Sequence, residues 1–543
     1  HLVIRRQRQM CIRDRVFDII IVGAGTAGCL LANRLSANKN LNIALIEAGG
    51  SDNYHWIHIP VGYLYCMGNK RTDWLYKTSS QPGLNGRHLN YPRGKVMGGC
   101  SSINGMIYMR GQSKDYDHWR QLGNIGWSWD DVLPYFVKTE DNFSGTDEYH
   151  GQGGEWRVDE QRLHWDVLDD FQNATVEAGI PKIKDFNNGN NFGVSYFKVN
   201  QKNGFRLNTV KAFLKPIQQR KNLKIFKNCE VESLIIKNKI VTGLKIKTNG
   251  TELQVSCNKE VILSAGSVGS PKILELSGIG NPKLLIKLGI KPIIDSKNVG
   301  ENLQDHLQLR VIYKLQNAKT LNQEINSVFG KMKIGMEYLF KRKGPMSMAP
   351  SQLGVFAMSD SSYEMPNVQF HVQPLSLDKF GDPLHNFPGL TASVCNLNPL
   401  SRGSVHIKSK DLKVQPEINP NYLSHATDKK VAADSIKLAR KIISQPSMKK
   451  YNPEEYAPGI NYQTDKDLER VAGDIGTTIF HPVGTCAMGV RDDSVTKPNL
   501  KVNGIEKLRV VDASIMPSIT SGNTNSPTLM IAEKASELIL NEV

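Results

Sequence analysis

Hydrophobic positions pattern the start of this chain into alternating elements. Residues 17–22, FDIIIV, form a short run, apolar but for Asp18 and closed by glycines, that suits a buried parallel strand. GAGTAG follows, then Leu30, Leu31 and Leu35 at helical spacing. The run 41-LNIALIEAGG-50 reads as a second buried strand ending in an acid. Strand, helix and strand in this order predict a βαβ unit. Further on, LKIF, VESLII, VTGLKIKT, ELQVSC and EVILSAG, between residues 221 and 266, read as successive strands. Helices are expected over Val132–Thr139 and Trp165–Ala178. From about Val311 to Glu469 come the strand patterns NVQFHVQP, LTASVCNL and GSVHIKS and the helical KVAADSIKLARKII. This part has no nucleotide motif and is the expected substrate domain. Residues 51–93, rich in Tyr, Trp, Gly, Pro and Asn, show no period, and such long stretches serve as lids or binding loops. Near the C-terminus, Ser526 suits an N-cap and Pro527 the first residue of a helix whose Ile531, Ala535, Leu538 and Ile539 share one face.

The glycines of the first unit give it chemistry. Gly23, Gly25 and Gly28 stand at GxGxxG spacing, and Glu47 lies 19 residues after Gly28. Such glycines allow a tight turn and close backbone approach to a pyrophosphate at a helix N-terminus, and the acid would accept hydrogen bonds from a ribose diol. Dinucleotide binding follows; the alternative is a glycine-rich turn without a ligand.

Composition narrows the class. The chain has 543 residues, 40% hydrophobic and 22% charged, which suits a multidomain globular protein with ample core. No apolar run reaches the length of a membrane-spanning helix. Eight scattered cysteines without a CxxC pair read as reduced thiols of a cytoplasmic protein, not as a disulfide framework or zinc site. The net charge of +16 reflects 68 basic against 52 acidic residues. No basic block with interleaved aromatics accompanies it, so nucleic acid is not an expected partner. Peripheral association with an anionic membrane surface stays open. Residues 1–15, HLVIRRQRQMCIRDR, carry five arginines against one aspartate and lack a secretory apolar core. They are expected to be a non-native or disordered leader, with the folded protein beginning near Val16.

Four longer motifs remain: 94-GKVMGGCSSINGMIYMRG-111, 266-GSVGSPKILELSGIG-280, 299-VGENLQDH-306 and 481-HPVGTCAMG-489, the last followed by 511-VDASIMPSITSGNTNSPTLMIAEKASELI-539. With GAGTAG and EAGG, and in this order over about residues 17–540, the chain resembles the glucose–methanol–choline family of FAD-dependent oxidoreductases, in its choline dehydrogenase and alcohol dehydrogenase branch. The resemblance implies an α/β fold. A discontinuous Rossmann-type FAD domain would take residues 16–158, 201–310 and 470–543. A substrate domain, an antiparallel sheet backed by helices, would take 159–200 and 311–469.

The resemblance also assigns residues. Gly23, Gly25, Thr26, Ala27 and Gly28, with Glu47 and Ala48, would hold the adenosine and pyrophosphate. Gly98, Gly99, Ser101 and Ser102 would wrap the pyrophosphate and ribityl chain through backbone and hydroxyl donors. Asn104, Gly105 and Met106 would approach the flavin ring. Val231, Ala265 and Gly266 would lie along the adenosine, and Asp512 and Ala513 along the ribityl and pyrophosphate. Asn523, Thr524 and Asn525 would open the final helix toward the ring, where its dipole would stabilise reduced flavin. Some members bind flavin covalently through a histidine at the position of Ile103; isoleucine cannot, so dissociable FAD is expected. His481, alone in an apolar run, would by itself read as a core side chain. The resemblance makes it the base that removes the hydroxyl proton, with Asn523 as its partner, since imidazole accepts a proton near neutral pH. His306 is assigned a structural role, and Asn302 and Asp305 are expected to organise turns. Phe480 and the aromatics Tyr54, Trp56, Tyr63, Tyr65 and Trp74 could face a quaternary ammonium such as choline. The expected reaction is oxidation of an alcohol to an aldehyde or ketone, with electrons passed to a quinone-like or other acceptor. An oxidase using oxygen, choline dehydrogenase proper and a hydroxynitrile lyase remain alternatives.

Overall fold

The computed structural model describes residues 16–325, 327–379 and 381–543. The expected leader, including Cys11, lies outside them. The strands that build the fold are, in chain order, β1 (Val16–Val22), β2 (Ile43–Ile46), β3 (Gly193–Tyr196), β4 (Leu223–Phe226), β5 (Cys229–Lys237), β6 (Ile240–Thr248), β7 (Thr251–Leu263), β8 (Leu307–Lys314), β9 (Leu353–Ala357), β10 (Val368–Gln373), β11 (Gly389–Asn396), β12 (Glu454–Ala457), β13 (Gly476–Thr478) and β14 (Leu508–Val510). The helices used below are α1 (Thr26–Leu35), α2 (Trp129–Thr139), α3 (Asp166–Glu177), α4 (Gly266–Leu276), α5 (Val328–Lys341), α6 (Ala426–Ile443), α7 (Asp465–Ile475) and α8 (Asn525–Leu540).

The first sheet runs β4-β2-β1-β7-β6-β5, with β14 also beside β7. Its β4, β2, β1, β7 and β14 are parallel, and β6 and β5 continue it antiparallel. Ile19, Ile20 and Ile21 are completely buried because α1 and α8 cover this layer. Burial of such a side chain contributes roughly 1.5–3 kcal/mol. ELQVSC and EVILSAG are one continuous strand, β7. It pairs with β6 through its first half and with β1 through its second, so no turn separates them.

The second sheet, β12-β8-β11-β10-β9-β3 with β13 also on β8, is antiparallel throughout. Alternation decides its faces. Leu309, Val311, Phe370, Val372, Ala392 and Val394 pack with side chains of α3, α6 and α7 in one apolar cluster. The residues between them, including Gln369, His371, Thr391 and Ser393, make a polar face that is also buried.

β8 and β13 both belong to the second sheet, so that layer extends a few residues into the segments 201–310 and 470–543 expected in the first. GSVHIKS contributes Ser404–His406, which pairs with Glu417–Asn419 as a separate ribbon. The segment 51–93 holds only short helical turns and two-residue strands. Among the described residues, no helix is long and apolar enough to cross a membrane.

Candidate active site

A cavity of about 740 Å³ runs between the two sheets. At one end stands the turn after β1. Gly23, Gly25, Thr26 and Ala27 line the cavity there. Gly28 does not; a Cβ on it would sit 1.9 Å from the Gly23 carbonyl oxygen, so its bareness lets α1 pack against the turn. Glu47 and Ala48, after β2, also line the wall, with Val231 of β5 and with Ala265 and Gly266 at the start of α4. Glu47 accepts hydrogen bonds from the backbone N–H of Ala24 (2.8 Å) and Gly49 (2.7 Å). Burial nevertheless pushes its carboxyl up to about 7.

The loop 98–106 divides in two. Gly99, Asn104, Gly105 and Met106 line the cavity, whereas Gly98, Ser101 and Ser102 do not. The two serine hydroxyls are spent within the loop. Ser101 Oγ donates to Gly98 O (2.6 Å) and Ser102 Oγ to Met97 O (2.8 Å). Both serines are buried and stiffen the loop, also meeting Thr209 and Asn208 from the neighbouring segment. Asp512 and Ala513 line the wall. The Asp512 carboxylate is occupied, accepting from Gly266 N, Ser270 Oγ and Ser514 N, so it caps α4 and the turn that follows.

The final helix begins earlier than its sequence implies. α8 starts at Asn525 with Thr524 as cap; Ser526 is buried with an unpartnered hydroxyl, and Pro527 is third in the helix. Proline is tolerated in the first turn because the N–H it lacks has no acceptor there. Thr524 and Asn525 line the cavity, so the helix opens onto it.

At the far end, His481, Asn523 and His306 form one chain. His306 Nε2 lies 3.0 Å from the carbonyl oxygen of Leu397, an acceptor only, so this nitrogen carries the proton. Burial holds the His306 imidazole down at about 4, hence neutral, and its Nδ1 keeps a lone pair. His481 Nδ1 lies 3.1 Å from that atom and must donate. The His481 Nε2 lone pair is thereby left toward the cavity, where the Asn523 amide meets it at 3.1 Å. Burial, then the charges that His306, His371 and Arg93 would present, lower His481 well below the ordinary histidine value. The ring is neutral and the right tautomer for accepting a proton.

Asp305 fixes the backbone beneath. It accepts hydrogen bonds from His481 N (2.7 Å) and from the hydroxyls of Thr478, Tyr91 and Tyr422. Phe480 precedes His481 with φ +68, a conformation that costs a bulky residue energy, and its carbonyl accepts from Arg93. Asp305 and His306, expected to shape turns and fill structural space, therefore position the candidate base. His306, read from the sequence as structural, is the positioning residue that reading missed. Its only signal was adjacency to Asp305 in ENLQDH, because its partner lies 175 residues away.

Comparison with known proteins decides the family. GMC oxidoreductase profiles match residues 17–308 and 399–532. The chain belongs to the GMC oxidoreductase family. It is 38% identical over 531 residues to an oxygen-dependent choline dehydrogenase of Vibrio vulnificus (strain YJ016), covering 97% of this chain and 94% of that one. It is also 38% identical over 532 residues to an alcohol dehydrogenase [acceptor] of Pseudomonas putida, covering 97% and 96%. Among solved structures, a formate oxidase of Aspergillus oryzae RIB40, studied for its FAD modification, superimposes with a TM-score of 0.91 at 27% identity, covering 98% of this chain and 99% of that one.

Proposed function

We propose that this GMC oxidoreductase binds FAD and oxidises an alcohol to an aldehyde or ketone. The cavity suits a dinucleotide. Its glycine turn is bare enough that a Cβ on Gly99 would come within 2.7 Å of the Gly25 Cα. Glu47 offers acceptors at a strand end, and Ser264 Oγ and Asn525 Nδ2 are buried in the wall without partners. FAD, when bound, supplies the hydride acceptor. Ile103 lines the cavity and has no nucleophile, so the cofactor is held without a covalent bond; acid precipitation should release flavin from the polypeptide.

The observation that carries the reading is the chain Leu397–His306–His481–Asn523. It turns one imidazole lone pair toward the cavity, where Asn523 Nδ2 occupies it until a substrate hydroxyl takes that place and gives the lone pair its proton. Asn523 Nδ2 holds the substrate oxygen beside it. A positioned base contributes about 10²–10⁴-fold. His481→Ala should keep flavin bound yet lose anaerobic bleaching by an alcohol panel to that extent; bleaching at the wild-type rate removes the reading. Electrons pass on to a quinone-like or other non-oxygen acceptor. Hydrogen peroxide produced at turnover speed would make the enzyme an oxidase, and cyanide release without bleaching a hydroxynitrile lyase. Two relatives are named for different substrates, and Tyr63, Tyr65, Trp74 and Phe480 line the cavity as a choline site would need, whereas Tyr54 and Trp56 do not.

A peripheral membrane contact on the cytoplasmic side belongs to the same proposal. On α5, Val328, Phe329, Met332, Met336, Leu339 and Phe340 are exposed at helical spacing, with Phe340 79% accessible. Lys331, Lys333, Lys341 and Lys343 stand exposed beside them. Ile334, from the opposite face, lines the cavity. An apolar stripe flanked by lysines matches an anionic bilayer, which would then lie against the cavity mouth. The holoenzyme should float with phosphatidylcholine–phosphatidylglycerol vesicles, and the Phe329→Glu, Phe340→Glu double variant should not. Equal flotation, or a dimer broken by the variant, would show that the stripe meets something else.

A further inference from the structure

The buried polar face of the second sheet needs a partner that the protein does not provide. Register places Arg310 of β8 beside Ser393 of β11, and Ser393 beside His371 of β10. Three strands therefore carry one cross-strand row, about 10 Å long by ordinary strand spacing. Gln369, on the next row of the same face, is completely buried. Arg310 and His371 line the cavity.

These groups are not satisfied within the fold. Arg310 Nε and Nη2, Ser393 Oγ, His371 Nε2 and both amide atoms of Gln369 are buried without a hydrogen-bond partner. No carboxylate lies within ion-pair distance of Arg310 among the described residues. Burial lowers its guanidinium to about 10, still charged at neutral pH. An unpaired buried cation costs stability in a free protein unless a ligand neutralises it. Here six unpartnered polar atoms share one face of one sheet, beside the cavity that also holds His481 and Asn523. That arrangement points to recognition. A slip of packing would not align charge, hydroxyl, imidazole and amide across three strands.

The geometry points to a substrate that carries a carboxylate as well as its hydroxyl, and we propose that Arg310, with His371 on the same row, anchors that carboxylate. A monoanion matches the single guanidinium in charge and can engage it in two parallel bonds. A phosphate dianion would bring a second charge that nothing on the face neutralises. A quaternary ammonium would be placed beside a buried cation, which disfavours choline. The inference deepens the alcohol-oxidation reading and rests on it for turnover. Binding of a carboxylate does not depend on turnover, so the two can fail separately.

The test uses FAD-loaded protein with hexanoate as the binding probe, and 6-hydroxyhexanoate against 1-hexanol as substrates. Hexanoate should raise the melting temperature of the wild type at concentrations where chloride does not. 6-Hydroxyhexanoate should exceed 1-hexanol in kcat/KM. In Arg310→Met that preference should fall about 10- to 100-fold, the loss expected for hydrogen bonds to a charged group. The protection by hexanoate should vanish. Arg310→Lys should keep part of both, as a charge without the planar fork. Ligand-free Arg310→Met should melt no lower than wild type, because it removes an unpaired charge; a clear drop would mean that Arg310 is structural. The proposal is overturned if hexanoate fails to stabilise the wild type, if chloride stabilises it equally, or if Arg310→Met keeps both the protection and the preference. Failure of turnover with every alcohol, while hexanoate protection persists, would instead count against the alcohol-oxidation reading and leave the carboxylate anchor standing.

Discussion

At the residue scale, the state of His481 depends on a neighbour that touches no substrate. Leu397 O fixes the tautomer of His306, and His306 Nδ1 fixes that of His481. His306→Ala removes the acceptor that holds the His481 proton on Nδ1. The imidazole can then turn its N–H toward the cavity, where it no longer serves as a base. Flavin reduction by alcohol should slow by about 10²-fold with flavin still bound. The pH profile separates this from a loss of packing. Because burial lowers His481 well below its ordinary value, the wild-type base stays unprotonated as pH falls. Its rate should therefore hold to well under pH 6.5. Water admitted by the deletion would raise the pKa again, so the variant's rate should decline at a higher pH. Stopped-flow reduction from pH 5 to 8 reads both effects. An acid limb at the same pH in both proteins would contradict this account.

At the element scale, local chemistry carried much of the prediction. The βαβ unit was legible because GxGxxG leaves few options. A Cβ on Gly28 would meet Gly23 O at 1.9 Å, and Gly23 itself holds φ +98. Gly28→Ala should force α1 away from the turn at a cost of about 1–3 kcal/mol, with loss of bound flavin. Urea unfolding followed by flavin fluorescence measures both, and an unchanged midpoint would deny the close contact. Other boundaries were less legible for a physical reason. ELQVSC and EVIL looked like two strands since each half of β7 alternates differently, the first half-exposed and paired with β6, the second buried between β1 and β14. Ser526 has the composition of a cap, but α8 takes Thr524 instead, and Asn525 accepts from Thr26 Oγ1 at the mouth of α1. The polar face of the second sheet was visible as alternation, yet alternation reports only that two faces differ. Whether the polar one meets solvent or a ligand is decided by elements distant in sequence.

At the scale of the whole molecule, the first layer and the ribbon after β11 are joined by an ionic link whose pH response can be worked out. Glu275, in α4 over the first sheet, has a fully buried side chain; His406, in the ribbon after β11, contacts it at 2.7 Å and meets Glu301 at 2.9 Å on its other nitrogen. Both imidazole nitrogens face carboxylates, so the ring is best served by carrying two protons. Burial alone would lower its pKa, but the hydrogen bonds to Glu275 and Glu301 outweigh burial and raise it to about 10. A histidine raised on folding stabilises the fold fully below its unfolded value near 6.5. That contribution fades as pH climbs and is gone once pH passes about 10. Ile407 N also donates to Glu275, so loss of the imidazolium leaves a buried carboxylate with one backbone donor. The melting temperature should therefore fall by several degrees between pH 7 and 10.5. His406→Gln should start lower at pH 7 and lose less over the same range, since an amide cannot deprotonate. Lysines and tyrosines elsewhere titrate in both proteins alike, so the difference between the two curves isolates the link. Parallel curves would show that α4 and the ribbon are held together by packing, with the ion pair incidental.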